Sequence, residues 1–164
     1  MKMDVRHELP AAIDVAWREL HSEAYVTAQR EQTGTAGEVL SEEPQADGRL
    51  LRRTRITLGR DLPSVAANLL GSKRLSYVLE ELVDADKHHV EWKVLVDRVS
   101  NKVKAGGEFT LEAVSDSVCR RVVTGEIKVS VPFVGGRIEK GIAEELTKSY
   151  NATAETARAW LAAL

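Results

Sequence analysis

With a single cysteine, Cys119, the chain can form no internal disulfide and no cysteine-built metal site. Nowhere do about 18 apolar residues run together, which excludes a membrane-spanning helix. The first residues, Met1-Lys2-Met3-Asp4-Val5-Arg6-His7-Glu8, lack the apolar core of a signal peptide, and a cytoplasmic location is expected. Neither sign of charge dominates: 23 Lys and Arg stand against 25 Asp and Glu, a formal net charge of -2. A nucleic-acid binder would show a basic excess or stripe, so no nucleic-acid partner is expected. The balance also offers little attraction to an anionic membrane, while leaving room for a local basic patch. No Gly-x-Ser-x-Gly, His-Glu-x-x-His or paired-Cys motif is present, and Gly135-Gly136 is not followed by a phosphate-binding pattern. No metal or cofactor is expected, and no residue is assigned as catalytic. Repeats, low-complexity tracts and linkers are also missing. The 164 residues fit one domain, 1–164, long enough to bury about two-thirds of its unfolded surface.

What the chain does have is patterning. From Lys2 to Leu9, Met3, Val5, His7 and Leu9 alternate with charged residues, the period of a half-buried strand. Pro10 stops this strand and suits the first turn of a helix. Residues 11–32 carry Ile13, Ala16, Trp17, Leu20, Ala24 and Ala28 at helical spacing, broken near His21-Ser22 into two short helices that Gly34 and Gly37 end. Strands are then expected at Thr35–Glu42 and Arg49–Leu58, with a short apolar helix over 62–70. Two further hairpins follow, Leu75–Asp84 with His88–Asp97 and Lys102–Val114 with Val118–Val131. Gly106-Gly107 marks a bulge or a strong bend. After Pro132 and Gly135-Gly136, a stripe of Ile138, Ile142, Leu146, Tyr150, Ala157, Trp160 or Leu161, and Leu164 predicts a helix of about 28 residues, roughly 40 Å long. The expected fold is α+β: a curved antiparallel sheet of about seven strands wrapped around a long C-terminal helix, with two short helices after the first strand.

This element order, with Val131-Pro132-Phe133-Val134-Gly135-Gly136-Arg137-Ile138-Glu139-Lys140 joining last strand to last helix, resembles the START/Bet v 1-like (SRPBCC) helix-grip superfamily. It is similar in particular to the uncharacterised DUF2505 group. The stretch Leu75-Ser76-Tyr77-Val78-Leu79-Glu80-Glu81-Leu82-Val83-Asp84 also resembles, more faintly, the PRELI-like lipid-transfer proteins. The resemblance implies an apolar cavity between sheet and helix that binds lipids, sterols, polyketides or other hydrophobic molecules. Some members are cyclases or dehydratases, and others bind protein partners.

The candidate ligand-binding residues are His7, Tyr77, Glu81, Trp92, Phe109, Arg121, Ile142 and Leu146. His7 is the polar member of an inward strand face, where it could anchor a headgroup, act as a base, or simply be hydrogen-bonded or wet. Glu81 shares an alternating set with Tyr77 and Leu79, and Arg121 shares one with Cys119, Val123 and Ile127. Facing inward, the two could pair with each other or hold a headgroup, since an unpaired buried charge is costly; otherwise they lie at the rim. Tyr77, Trp92, Phe109 and Trp160 either pack the core or line the cavity. The small inward residues of the sheet predict a void bordered by Trp92, Phe109, Ile142 and Leu146. Cys119 reads as a buried structural thiol, His88-His89 as a solvated turn, and the Arg49–Arg60 arginines as a solvated face or a phosphate patch. The function expected is non-enzymatic carriage or sensing of a hydrophobic small molecule or lipid, with transient membrane contact. A cyclase- or dehydratase-like enzyme and an interaction module with a filled core are the alternatives. Oligomeric state is not legible.

Overall fold

The computed structural model describes residues 1–96, 99 and 101–164. Strand β1 (Lys2–Leu9) follows the alternation, with Met3, Val5, His7 and Leu9 buried and the residues between them exposed. Pro10 lies in a bend before helix α1 (Ile13–Leu20), not in its first turn, because Ala12 already takes the extended conformation of the N-cap. The expected break falls at His21-Ser22. Ser22 caps helix α2 (Glu23–Thr33) by accepting the Tyr25 amide at 3.2 Å, and Gly34 ends it at φ 66. Gly37 does not end this unit. It sits inside β2 (Ala36–Pro44), where the Arg30 side chain occupies the space a Cβ would need.

Five more strands follow: β3 (Leu50–Asp61), β4 (Arg74–Asp84), β5 (His89–Leu95), β6 (Val103–Ala113) and β7 (Cys119–Val129). Helix α3 (Ser64–Leu70) interrupts them after β3, and α4 (Gly135–Ala162) closes the chain with 28 residues. The expected β5 end at Asp97 lies outside the described residues. All seven strands form one antiparallel sheet in the order β1-β7-β6-β5-β4-β3-β2, so the first strand pairs with the last. One register slip falls in β2 between Val39 and Ser41 and another in β3 between Thr57 and Asp61, whereas β6 pairs without a slip through Gly106-Gly107. The glycine pair is therefore no bulge: a Cβ at Gly107 would collide with the Thr124 carbonyl, so the residue permits close strand approach.

The turn into α4 also differs from expectation. Gly135-Gly136 opens the helix, and Phe133, at φ 68 and fully exposed, makes the left-handed turn. Helix α4 crosses the inner face over β1 and β7. Its buried positions there are small, Ala143, Thr153, Ala154 and Ala157, with Leu161 beyond them, so the helix comes close to the strands. Of the expected stripe, Leu161 is buried, Trp160 half-buried, and Leu164 exposed just past the helix end.

Candidate ligand-binding site

Pairing register fixes which residues share the inner face. One row across the sheet runs Arg52, Glu81, Trp92, Gly107, Gly125 and Met3. A second runs through Thr54, Leu79, Val94, Ala105 and Ile127, and a third places Leu111, Arg121 and His7 side by side. Under β1 and β7 these rows are sealed. Toward β4 they are not: Tyr77, Leu79 and Glu81 are half-buried, and so are Ile138, Ile142, Leu146 and Tyr150, the i+4 row on one flank of α4. Leu79, Leu146 and Tyr150 pack around Trp92 and Val123, while Tyr77, Ile138 and Ile142 pack around Ile127 and Val129.

The polar centre of this region is Arg121, only 4% exposed. One terminal nitrogen, Nη2, donates to the Tyr150 carbonyl at 2.8 Å and to His7 Nδ1 at 3.2 Å. His7 passes the contact on through Nε2 to Asn151 Oδ1 at 2.7 Å. An Nδ1 that accepts from a guanidinium implies a neutral ring with its proton on Nε2. Burial chiefly, and Arg121 secondarily, hold His7 below its ordinary pKa, while the Asn151 bond works the other way. The guanidinium also lies over the Tyr150 ring, 5.7 Å from its centroid. Burial pushes the Tyr150 phenol up to about 12, with Arg121 pulling it down and Tyr77 and Glu81 adding to the rise.

Glu81 and Arg121 both face inward but do not pair. The nearest cation to Glu81 is its cross-strand neighbour Arg52, at 4.0 Å, and Arg52 also binds Glu42 at 3.1 Å. Burial raises the Glu81 pKa against the pull of Arg52 and Arg30, and burial raises Tyr77 likewise. Two buried donors have no partner among the described residues: Arg121 Nε and Trp92 Nε1.

The candidates are therefore not all together. Tyr77, Glu81, Trp92, Arg121 and Leu146 surround Tyr150, His7 buttresses Arg121 from β1, and Ile142 lies further toward α3. Phe109 bridges two clusters: it packs against Trp92 and Val123, and it is also edge-on to His21 at 6.3 Å, with His21 tilted against Trp17 at 4.0 Å. Part of the room expected between Trp92, Phe109, Ile142 and Leu146 is filled by the Trp92 ring: a Cβ at Gly125 would stand 2.7 Å from Trp92 Cζ2. A pocket of about 330 Å³ lies at the end of α3, walled by Leu70, Leu75 and Val96. Those residues pack in the same cluster as Tyr77, Ile142 and Leu146, so the pocket adjoins the half-open row. A second concavity, an open groove of about 490 Å³ between β1 and α4, lies over Met1, Met3, Ala143 and Thr147 and is edged by Lys2, Asp4, Glu144 and Lys148.

Several other expectations change in detail. His88 is less a solvated turn than a clamp, 2.8 Å from Asp14 and edge-on to Trp17 at 5.5 Å, and it takes a left-handed φ of 50. Arginines of β3 and Arg49 just before it hold carboxylates: Arg49 with Asp47, Arg52 with Glu42, Arg53 with Glu80, Arg60 with Glu145 of α4. Cys119 is fully buried. Among the described residues no three His, Cys, Asp or Glu groups stand close enough to hold a metal, and no helix is long and apolar enough to cross a membrane. Sequence reasoning places Tyr150 only on the helix stripe and misses Arg52 and Asn151 as members of this network.

A curved seven-stranded sheet gripping a long C-terminal helix defines the START-like, SRPBCC class of fold. The sequence matches the family described as "Protein of unknown function (DUF2505)" over residues 4–161, and the chain belongs to that family. The fold is similar to that of TTHA0849 from Thermus thermophilus, with TM-score 0.70, 14% identity, and 99% and 98% of the two chains covered. The Zhui aromatase/cyclase from Streptomyces sp. R1128 matches at TM-score 0.63 and 14% identity, covering 99% of this chain and 92% of that one. A START superfamily protein from Mycobacterium smegmatis matches at TM-score 0.57 and 13% identity, over 94% and 97%. Among curated proteins the sequence finds no match.

Proposed function

We propose that this protein binds a hydrophobic small molecule, as carrier or sensor, between α4 and the β4 side of the sheet. One observation carries the reading. Ile138, Ile142, Leu146 and Tyr150 face inward yet stay half-exposed, opposite Tyr77 and Leu79 in the same condition. Apolar surface left wet inside a fold is stabilised by an apolar occupant, at about 25 cal/mol per Å². Tyr77, Trp92, Leu146 and Ile142 supply walls, and Arg121, Glu81 and His7 set orientation. The START-like neighbours agree with small-molecule binding, and a lipid, loaded by transient membrane contact through α3, is the finer form of this reading.

An enzyme of the cyclase type is the second reading. It is favoured by a carboxyl, Glu81, whose pKa is raised by burial beside two tyrosines of raised pKa, the pattern of an acid–base site. The aromatase/cyclase among the structural neighbours supports it at the level of fold. Trp92, by occupying the space over Gly125, lends support to the filled-core alternative.

Native mass spectrometry of protein purified from its own host, with organic extraction, tests the leading reading. A stoichiometric apolar adduct that denaturation releases supports carriage. Protein that stays free of adducts, and binds no lipid or aromatic probe added to it, would exclude it.

A further inference from the structure

We propose that the ligand is an anion, specifically an apolar carboxylate whose charge is balanced by Arg121. The inference rests on the binding reading above and narrows it. A guanidinium is charged at every pH a protein experiences, and burying one without a counter-charge is strongly unfavourable. Arg121 is buried, yet no carboxylate lies within ion-pair distance of it among the described residues. Its protein partners are a carbonyl and an imidazole, both neutral. The surrounding carboxylates are engaged elsewhere: Glu81 and Glu42 with Arg52, Glu80 with Arg53, Glu8 with Arg120, Glu155 with Arg158. Arg121 is thus held in position by His7 and by the α4 backbone, with Nε–H left over.

The unused donor is buried on β7, at the border of the half-open region, where the guanidinium meets Tyr150. Arg121 covers Tyr150, whose phenol also senses Glu81, and Glu81 stands directly across from Trp92. Trp92 contributes the second unpartnered buried donor, Nε1. On β7, Arg121 and Gly125, on which the Trp92 ring lies, are separated by one inward residue, Val123. Two unused donors, one of them charged, and wet apolar walls describe a binder of an acid with an apolar body. A neutral sterol, alcohol or ester would leave the Arg121 charge unbalanced.

Isothermal titration calorimetry of the intact protein with decanoate, decan-1-ol and methyl decanoate near neutral pH decides the matter. The acid is expected to bind about tenfold or more tighter than the other two, the range of a charge-assisted hydrogen bond. Arg121→Met should abolish that preference while leaving the weak affinity for decan-1-ol in place. Trp92→Phe, which keeps a ring over Gly125 but loses the N–H, should weaken the acid by less. Equal affinity of wild-type protein for acid, alcohol and ester would overturn the anion proposal and leave the binding reading standing. So would an acid preference that survives in Arg121→Met. Absence of binding by all three would overturn the anion proposal, and the native mass spectrum would then decide the broader reading separately. The wild-type comparison alone is decisive if Arg121→Met does not fold.

Discussion

Beneath one helix, the two sides of the inner sheet face are closed in different ways. On the β1–β7 side, α4 presents Ala143, Thr153, Ala154 and Ala157, and Leu9, Cys119, Val123 and Ile127 below are sealed from water. On the β4 side it presents Ile138, Ile142, Leu146 and Tyr150, and they, like Tyr77, Leu79 and Glu81 opposite, are only half-buried. Small side chains let backbones approach until water is excluded. Long ones hold the surfaces apart, and the gap collects Glu81 and Tyr150, with the buried Arg121 at its border, groups that are costly in a dry core. The first side serves stability, and the second is where binding is expected.

The contrast is open to measurement. Ile127→Ala, on the sealed side, should cost about 2–5 kcal/mol of stability, through lost burial and the cavity left behind. Ile142→Ala, removing the same groups where water already reaches, should cost less than half as much. Equal losses in urea denaturation would mean that both sides are equally closed.

A smaller effect follows from His7. Its folded pKa lies below the ordinary value of about 6.5, so as pH falls through that value the unfolded chain takes up the proton first. Stability contributed by the neutral ring is present above about pH 6.5 and is lost on acidification toward the lower folded pKa. The groups facing His7 are Arg121, Asn151, Arg158 and Glu155, and only Asn151 and Glu155 favour its charged form. His7→Asn, which keeps an acceptor for Arg121, should flatten the fall in melting temperature between about pH 6.5 and 5. An unchanged slope would contradict the neutral-ring assignment.

The smallest expected difference is one of local stability. Helix α3 has seven residues and buries none of them, whereas β5 buries Val90 and Trp92. Its amides should exchange faster than those of Val90–Val94, and slow when decanoate is added, because the adjoining pocket is walled by Leu70 and Leu75. Equal protection in both segments, with and without the acid, would contradict a role for α3 as a gate.

Much of the fold is legible in the sequence, because alternation and the i+4 stripe are direct consequences of strand and helix periods. Alternation also places Glu81 and Arg121 on the inner face correctly. It cannot say that they fail to meet, because a face is a local property while a neighbour depends on register, and register sets Arg52 opposite Glu81 and His7 opposite Arg121. The same gap bears on the space under the helix. Gly107 and Gly125 read as missing volume, but pairing across three strands brings the Trp92 ring over Gly125 and the Thr124 carbonyl against Gly107. Phe133 shows another limit, since nothing in the sequence pattern marks this bulky residue for the left-handed turn it makes.

The central claim, that an apolar ligand enters on the β4 side, is tested most directly by methyl NMR during titration with decanoate. The account predicts shifts at Leu79, Ile142 and Leu146, with Leu9, Leu20 and Leu161 of the sealed cluster unmoved. Shifts confined to the sealed cluster or to exposed residues such as Leu40 and Leu164, or no shifts at all, would contradict it.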